Sequence, residues 1–273
     1  MNICILIRVY DRIEDLLCNL RIIKDTWKLN SYEIIVVSNG TCNGYALPTK
    51  IYDLADRVIT LPFNLGHMKG NSQLLLEGVK SIFLQNYDFL LILEADTWLY
   101  SDVIVDKYVK KMKNTSYVWA SARWYDRFYS LATDFAIISA RFLEKNIEIF
   151  DFETYPECYV YNYLSNNGYS SLCIKENMPT HLPSYIRKYP YAPCGRFYVF
   201  PKSKMVTHHV DKVKGGMNEK KYCFNALAGK EYFVDIQKSS LKCKYFRIKL
   251  FCALSKIFIR RSWFSKGKFF DFC

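Results

Sequence analysis

The chain has 273 residues, 51% hydrophobic and 23% charged, so it is long and apolar enough to bury a sizeable core and does not read as disordered. Lys and Arg number 38 against 26 Asp and Glu, a net charge of +12. No apolar run approaches the roughly 18 residues that span a bilayer, and Met1-Asn2-Ile3-Cys4-Ile5-Leu6-Ile7-Arg8 lacks the basic start and small-residue cleavage site of a secretion signal, so the expectation is a chain that neither spans a membrane nor is secreted.

In chain order, residues 3–9 are β-branched and apolar, a first strand. Residues 11–27 carry a helical stripe of Ile13, Leu16, Leu17, Leu20, Ile23 and Trp27. Residues 33–38 read as a second buried strand, closed by the turn signal Asn39-Gly40. A short third strand is expected at 57–61, a helix at 71–83 and a fourth, most apolar strand at 88–93. Later strands are expected at 117–122 and 135–139. Tyr155-Pro156-Glu157-Cys158 reads as a helix start, with Pro near the first turn and an acid favoured by the helix dipole. This alternation with continuously apolar strands predicts an α/β fold: a mostly parallel central sheet, helices on both faces.

From residue 180 prolines 183, 190, 193 and 201 break up aromatic stretches, and loops with short strands are expected. The ten cysteines include no C-x-x-C pair, and several sit in apolar stretches, so reduced thiols rather than a disulfide framework or zinc site are expected. Residues 236–273 hold ten Lys and Arg against one acid, Asp271. Within them Leu241, Tyr245, Ile248, Phe251, Leu254 and Phe258 recur at helical steps, followed by Trp263, Phe264, Phe269, Phe270 and Phe272. A basic amphipathic helix with trailing aromatics suits an anionic membrane surface, or docks its stripe on the domain with its lysines in water. No nucleic-acid motif is present, and no nucleic-acid partner is expected. The division expected is a main domain over 1–235, with halves at 1–100 and 101–235, and a basic segment over 236–273.

The chemistry-bearing stretch is Leu91-Ile92-Leu93-Glu94-Ala95-Asp96-Thr97-Trp98. A buried strand runs into two carboxylates, and strand alternation would set Glu94 and Asp96 on one side with Ala95 facing away. The carboxyl end of a strand in an open α/β sheet is where ligands bind. Two hard oxygen donors there suit Mg²⁺ or Mn²⁺, which bridge to phosphate oxygens.

The order of these segments resembles the GT-A fold (Rossmann-like) nucleotide-sugar glycosyltransferases, especially their large inverting family, family 2. Arg8-Val9-Tyr10-Asp11-Arg12 is similar to that family's first strand end and nucleotide-contacting loop. The strand ending in Ser38-Asn39-Gly40 is similar to its second strand, with Asn39 where the family usually has an acidic pair. Asn64-Leu65-Gly66-His67-Met68-Lys69-Gly70-Asn71 resembles its Asn-x-Gly…Asn segment before the next helix, with Gly70 where an Arg is common and Lys69 beside it. Glu94-Ala95-Asp96 stands at the Asp-x-Asp position.

The resemblance implies an enzyme that moves a sugar from a nucleotide-sugar donor to a glycan or lipid-linked acceptor, with inversion and with Mn²⁺ or Mg²⁺. It implies that Arg8, Val9, Tyr10, Arg12, Asn39, Asn64, Lys69, Asn71, Glu94, Ala95 and Asp96 frame the donor. Asp96, Glu94 and one of His208 and His209 would hold the metal, a neutral imidazole being a good third ligand. Glu157 would be the general base at a helix entrance, with Asp134 and Glu153 as fallbacks. The expected location is cytoplasmic, peripheral at the inner face of a membrane. Two other readings compete: a sugar-nucleotide nucleotidyltransferase, whose Gly-rich loop Val9-Tyr10-Asp11 does not supply, and a non-catalytic membrane- or glycan-binding protein.

Overall fold

The computed structural model describes residues 1–123, 130–177, 198–207 and 216–236, with Leu250 and Ala253. The elements are β1 (Asn2–Val9), α1 (Ile13–Thr26), β2 (Ser31–Ser38), α2 (Thr49–Leu54), β3 (Arg57–Thr60), α3 (His67–Lys80), β4 (Phe89–Glu94), β5 (Trp98–Leu99), α4 (Val103–Lys113), β6 (Tyr117–Ser121), β7 (Phe135–Ser139), α5 (Ala140–Leu143), α6 (Pro156–Asn166), β8 (Ser170–Cys173), β9 (Tyr198–Phe200), β10 (Met205–Thr207) and α7 (Gly216–Ala228). The first helix and the six strands expected up to residue 139 appear within two residues of their predicted bounds at most ends.

Seven strands form one sheet in the order β3-β2-β1-β4-β7-β6-β8. All its pairings are parallel except those of β7 with β4 and β6. Parallel strands joined through helices are covered on both faces, which is why β1 buries all its residues but the first. Alternation then sorts the side chains. Ile5, Ile7, Ile34, Val36, Leu91 and Leu93 pack with α1, α2 and α4. Leu6, Ile35, Val37, Leu90 and Ile92 pack with α3, α5 and α6. Each fully buried aliphatic side chain contributes about 1.5–3 kcal/mol of transfer free energy, so these two layers dominate the stability of the sheet.

A second sheet, antiparallel and ordered β5-β10-β9, lies off the carboxyl end of β4. Its Trp98, Val199 and Val206 share a cluster with Phe224 of α7, with Phe233 and Ile236, and with Cys18 and Ile22 of α1. Short strands were expected after residue 180, but not their pairing with β5 in a second sheet, and α2, α4 and β8 were not expected. In α4 five lysines and acids mask a stripe, yet Ile104, Val105, Tyr108, Val109 and Met112 are buried. Helix α3 begins at His67, so Asn71 lies inside the helix rather than ahead of it. The six cysteines described are free thiols. Among the described residues no helix is long and apolar enough to cross a membrane. Most of the basic segment 236–273 lies outside the described residues, as do 178–197 and both His208 and His209.

Candidate functional site

The strand order places β1 between β2 and β4, so the chain departs from β1 in both directions; such a switch point opens a crevice at the strands' carboxyl ends. The parallel register brings Arg8 of β1 alongside Glu94 of β4 there. Arg8 Nη2 donates to Glu94 Oε1 and to the Thr133 carbonyl, both at 2.7 Å. The arginine is 4% exposed, and its Nη1 has no hydrogen-bond partner among the described residues. The Glu94 carboxylate is more open, its side chain 27% exposed.

Strand β4 ends at Glu94, so the expected alternation does not extend to Asp96. Instead the chain turns: Thr97 N donates to the Glu94 carbonyl at 3.0 Å, and Ala95 N to the Arg8 carbonyl at 3.2 Å. Asp96 is 4% exposed in this turn. The turn is held from α1 by Asn19, whose Nδ2 reaches the carbonyls of Glu94, Ala95 and Thr97 at 3.2, 3.3 and 2.9 Å. It is held from α7 by Lys220, whose Nζ lies 2.5 Å from the Asp96 carbonyl and 2.5 Å from Asp15 Oδ1. The same ammonium sits 4.4 Å from the Trp98 ring centroid, a cation–π contact in a dry setting. Burial pushes the Asp15 carboxyl up to about 6; Lys220 pulls against this and the Asp96 charge adds to it.

Sequence reasoning missed Asn19 and Lys220. The signal for Asn19 was a polar residue between Cys18 and Leu20 in an apolar helix, fully buried in the fold. Lys220 carried no such signal, because α7 follows a break in hydrophobic period and its partner lies 205 residues earlier.

On the expected donor side, Asn39 at the end of β2 is 1% exposed, and its Nδ2 donates to the Gly70 carbonyl at 3.0 Å. A Cβ on Gly70 would stand 2.4 Å from Asn64 Oδ1 and 3.1 Å from Asn39 Nδ2, which explains glycine where the resembled family often has arginine. Asn64 Oδ1 accepts from Gly66 N at 2.8 Å. A Cβ on Gly40 would fall 1.9 Å from the Tyr10 carbonyl, so the turn after β2 requires glycine to lie against the loop after β1. Tyr10 accepts from Asn43 Nδ2 at 2.9 Å and meets Tyr45 edge-on at 5.1 Å. Val9 is core, 2% exposed, so only its backbone faces this region. Arg12 lies 3.4 Å from Asp11. Lys69 does not point at Asn39: its ammonium pairs with Glu153 at 2.6 Å on the surface.

On the expected acceptor side, Glu157 lies in the first turn of α6 with Pro156 ahead of it. Its carbonyl accepts from Leu131 N at 3.1 Å. A few residues on, the Asp134 carbonyl accepts from Glu94 N at 3.0 Å, so the segment 131–134 ties the α6 entrance to the acidic turn. Asp134 itself is 4% exposed; its Oδ2 accepts from Thr207 at 3.1 Å and its Oδ1 from Phe135 N at 3.0 Å. Thr207 also meets Thr97 at 2.6 Å, which fastens β10 to the acidic turn.

The donor set at this turn is two carboxylates, Glu94 and Asp96. Among the described residues no cluster of three metal-capable side chains forms. A pair is still a fitting set for Mg²⁺ or Mn²⁺, which take one or two protein carboxylates and complete their shell with phosphate oxygens and water.

No family model matches the sequence, and no curated protein sequence matches it. Among solved structures the chain is similar to the mannosyltransferase PcManGT from Pyrobaculum calidifontis in complex with GDP-Man and Mn²⁺, with a TM-score of 0.49 and 12% identity over 63% of this chain and 54% of that one. It is similar to mouse xyloside xylosyltransferase 1, with a TM-score of 0.45 and 9% identity over 71% of this chain and 95% of that one. A protein described as a "putative nucleotide-diphospho-sugar transferase" from Desulfovibrio desulfuricans G20 gives a TM-score of 0.42 and 11% identity over 63% of this chain and 79% of that one. The chain thus spans about half the length of the first of these, 54%. At such identities function rests on the residues rather than on the likeness.

Proposed function

We propose that the protein is a glycosyltransferase, moving a sugar from a nucleotide-sugar donor to a glycan or lipid-linked acceptor. The observation that carries this reading is the acidic turn at the β1/β4 switch point, where the buried Arg8 pairs with the half-open Glu94 and Asn19 and Lys220 brace the backbone. Such bracing holds the backbone of the turn that carries both carboxylates with little freedom to relax, which is what a preorganised charge site requires. The sequence resemblance, with Tyr10, Asn39, Asn64 and Gly70 around the same end of the sheet, supports a nucleotide there.

In this reading Asp96 and Glu94 would hold a divalent cation, and the chemistry it would supply is to offset the charge of the leaving nucleoside diphosphate. Arg8 aims Glu94 through their ion pair at 2.7 Å, and its remaining N–H adds positive character beneath the site. Asn39 and Tyr10 orient the nucleoside side. Glu157 removes the proton from the acceptor hydroxyl. The hydroxyl oxygen then bonds to the anomeric carbon as the bond to the diphosphate breaks, with inversion. The basic segment 236–273 holds the enzyme at an anionic membrane surface near its acceptor.

The test is calorimetric binding of nucleoside diphosphates to the full chain with Mn²⁺ and after chelation, in the native protein and in Asp96→Asn. Binding should weaken at least about tenfold on chelation, about 1.4 kcal/mol, and should lose its metal dependence in the variant. Absent or metal-indifferent binding in the native protein refutes the reading.

A further inference from the structure

Helix α6 presents tyrosines at 155, 159 and 163, four residues apart and therefore on one face. They line an open groove of about 680 Å³ together with Asn162, Asn166 and Asn167, and with Met68 from the first turn of α3. The volume lies within the range of small-molecule sites, about 300–1,000 Å³. Two of the rings, Tyr159 and Tyr163, are stacked at 6.5 Å with an interplanar angle of 29°. Their hydroxyls are tied down outside the groove: Tyr159 donates to the Glu148 carbonyl at 3.1 Å, and Tyr163 lies 2.6 Å from Glu148 Oε1 and 3.0 Å from Asn146 Oδ1. The ring faces are thus set before any ligand arrives, which lowers the ordering cost of binding.

The chemistry of the groove selects its occupant. Aromatic faces accept the apolar C–H face of a pyranose ring, and amide side chains donate to and accept from vicinal hydroxyls. The charged residue among the described lining is Glu153, already paired with Lys69 at 2.6 Å, so the described residues of the groove offer no spare cation to an anionic ligand. Asn162, Asn166 and Asn167 are exposed and polar, unsuited to a lipid chain. We propose that this groove binds a neutral oligosaccharide, the extended part of the acceptor. This assignment rests on the glycosyltransferase reading for its role but not for its chemistry. Continuity favours it: the groove meets the first turn of α3 at Met68, two residues before the Gly70 whose carbonyl accepts from Asn39. A sugar chain lying on the tyrosines would therefore reach the donor side of the proposed site at the start of α3.

The experiment uses the full chain without donor or metal. Cellotetraose, maltotetraose, chitotetraose and lacto-N-tetraose are titrated by saturation-transfer NMR and calorimetry. At least one should bind and saturate. The exposed variants Tyr155→Ala, Asn162→Ala and Asn166→Ala, each checked for an unchanged melting temperature, should weaken that binding by about three- to tenfold, as expected for loss of one net hydrogen bond or ring contact. Binding of none of the four, or binding that all three variants leave untouched, overturns the proposal. So does a dimer by sedimentation that Tyr155→Ala dissociates while no sugar binds, since the groove would then be covered by a second copy. Nucleoside diphosphate binding is measured on the same samples. Sugar binding lost with nucleotide binding kept defeats the groove alone; sugar binding kept with nucleotide binding absent leaves the groove standing and defeats the transferase.

Discussion

Asn19 is a positioning residue: one amide nitrogen reaches three carbonyls of the acidic turn without touching the crevice. Asn19→Leu removes those donors and leaves buried carbonyls unmade, at a cost of about 1–3 kcal/mol. The expected result is a lower urea midpoint together with weaker nucleoside diphosphate binding, while Asn162→Ala, remote from the turn, leaves the midpoint unchanged. At this scale the sequence disclosed the acids proposed as ligands and hid the residues that hold their turn in place. Glu94 and Asp96 stood out because acids rarely follow five apolar residues. Asn39 was legible as part of a turn signal but took a site role only through the resemblance, and its link to the Gly70 carbonyl depends on packing between β2 and α3 that no local pattern encodes. The Arg8–Glu94 pair was not legible: Arg8 is the last residue but one of β1 and Glu94 the last of β4, and their adjacency needs the parallel register.

Between elements, the decisive link is α7 to α1 through Lys220 and Asp15, both almost wholly buried. The Asp15 carboxyl is pushed by burial to about 6 in the fold, against 3.8 for the free side chain. The folded state therefore holds this proton more tightly than the unfolded state does. Its contribution to stability is fully present below pH 4 and is lost as pH rises through 6, by about 3 kcal/mol for a shift of this size. Urea midpoints of the native protein and Asp15→Asn, measured from pH 4 to pH 7, should show the native advantage shrinking across that window and level above it. A difference independent of pH would mean that Lys220 keeps the carboxylate ionised throughout. Elements whose burial is continuous, such as β1, β2 and β4, were readable in the sequence because nothing else explains such runs. The small sheet was not: β5 has two residues and β9 and β10 three each, too short for any period to show, and their pairing is fixed by the apolar cluster beneath Trp98.

Over the whole molecule the charge is unevenly placed, with ten of the 38 basic residues in the last 38 positions. If that segment meets an anionic surface, truncation after Ile236, which is itself buried, should leave the melting temperature close to native. It should also abolish sedimentation with phosphatidylserine vesicles at low salt, an effect that 0.5 M salt should reproduce in the full chain by screening. Unchanged vesicle binding by the truncated chain would refute this role. The overall α/β architecture was accessible from alternation alone. The reversal of β7 was not, because an antiparallel strand buried on both faces, Phe-Ala-Ile-Ile-Ser, has the same composition as a parallel one.

The clamp on the acidic turn has a consequence for synthesis. A nascent chain on the ribosome can lay β1, β2, β3 and β4 side by side as soon as they emerge, but Asp15 acquires its buried cation only after residue 220 has left the exit tunnel. Until then the emerging amino-terminal half is a sheet with an unbraced carboxyl end, and a message cut short before α7 would yield the strands of this fold without the clamp that holds the acidic turn.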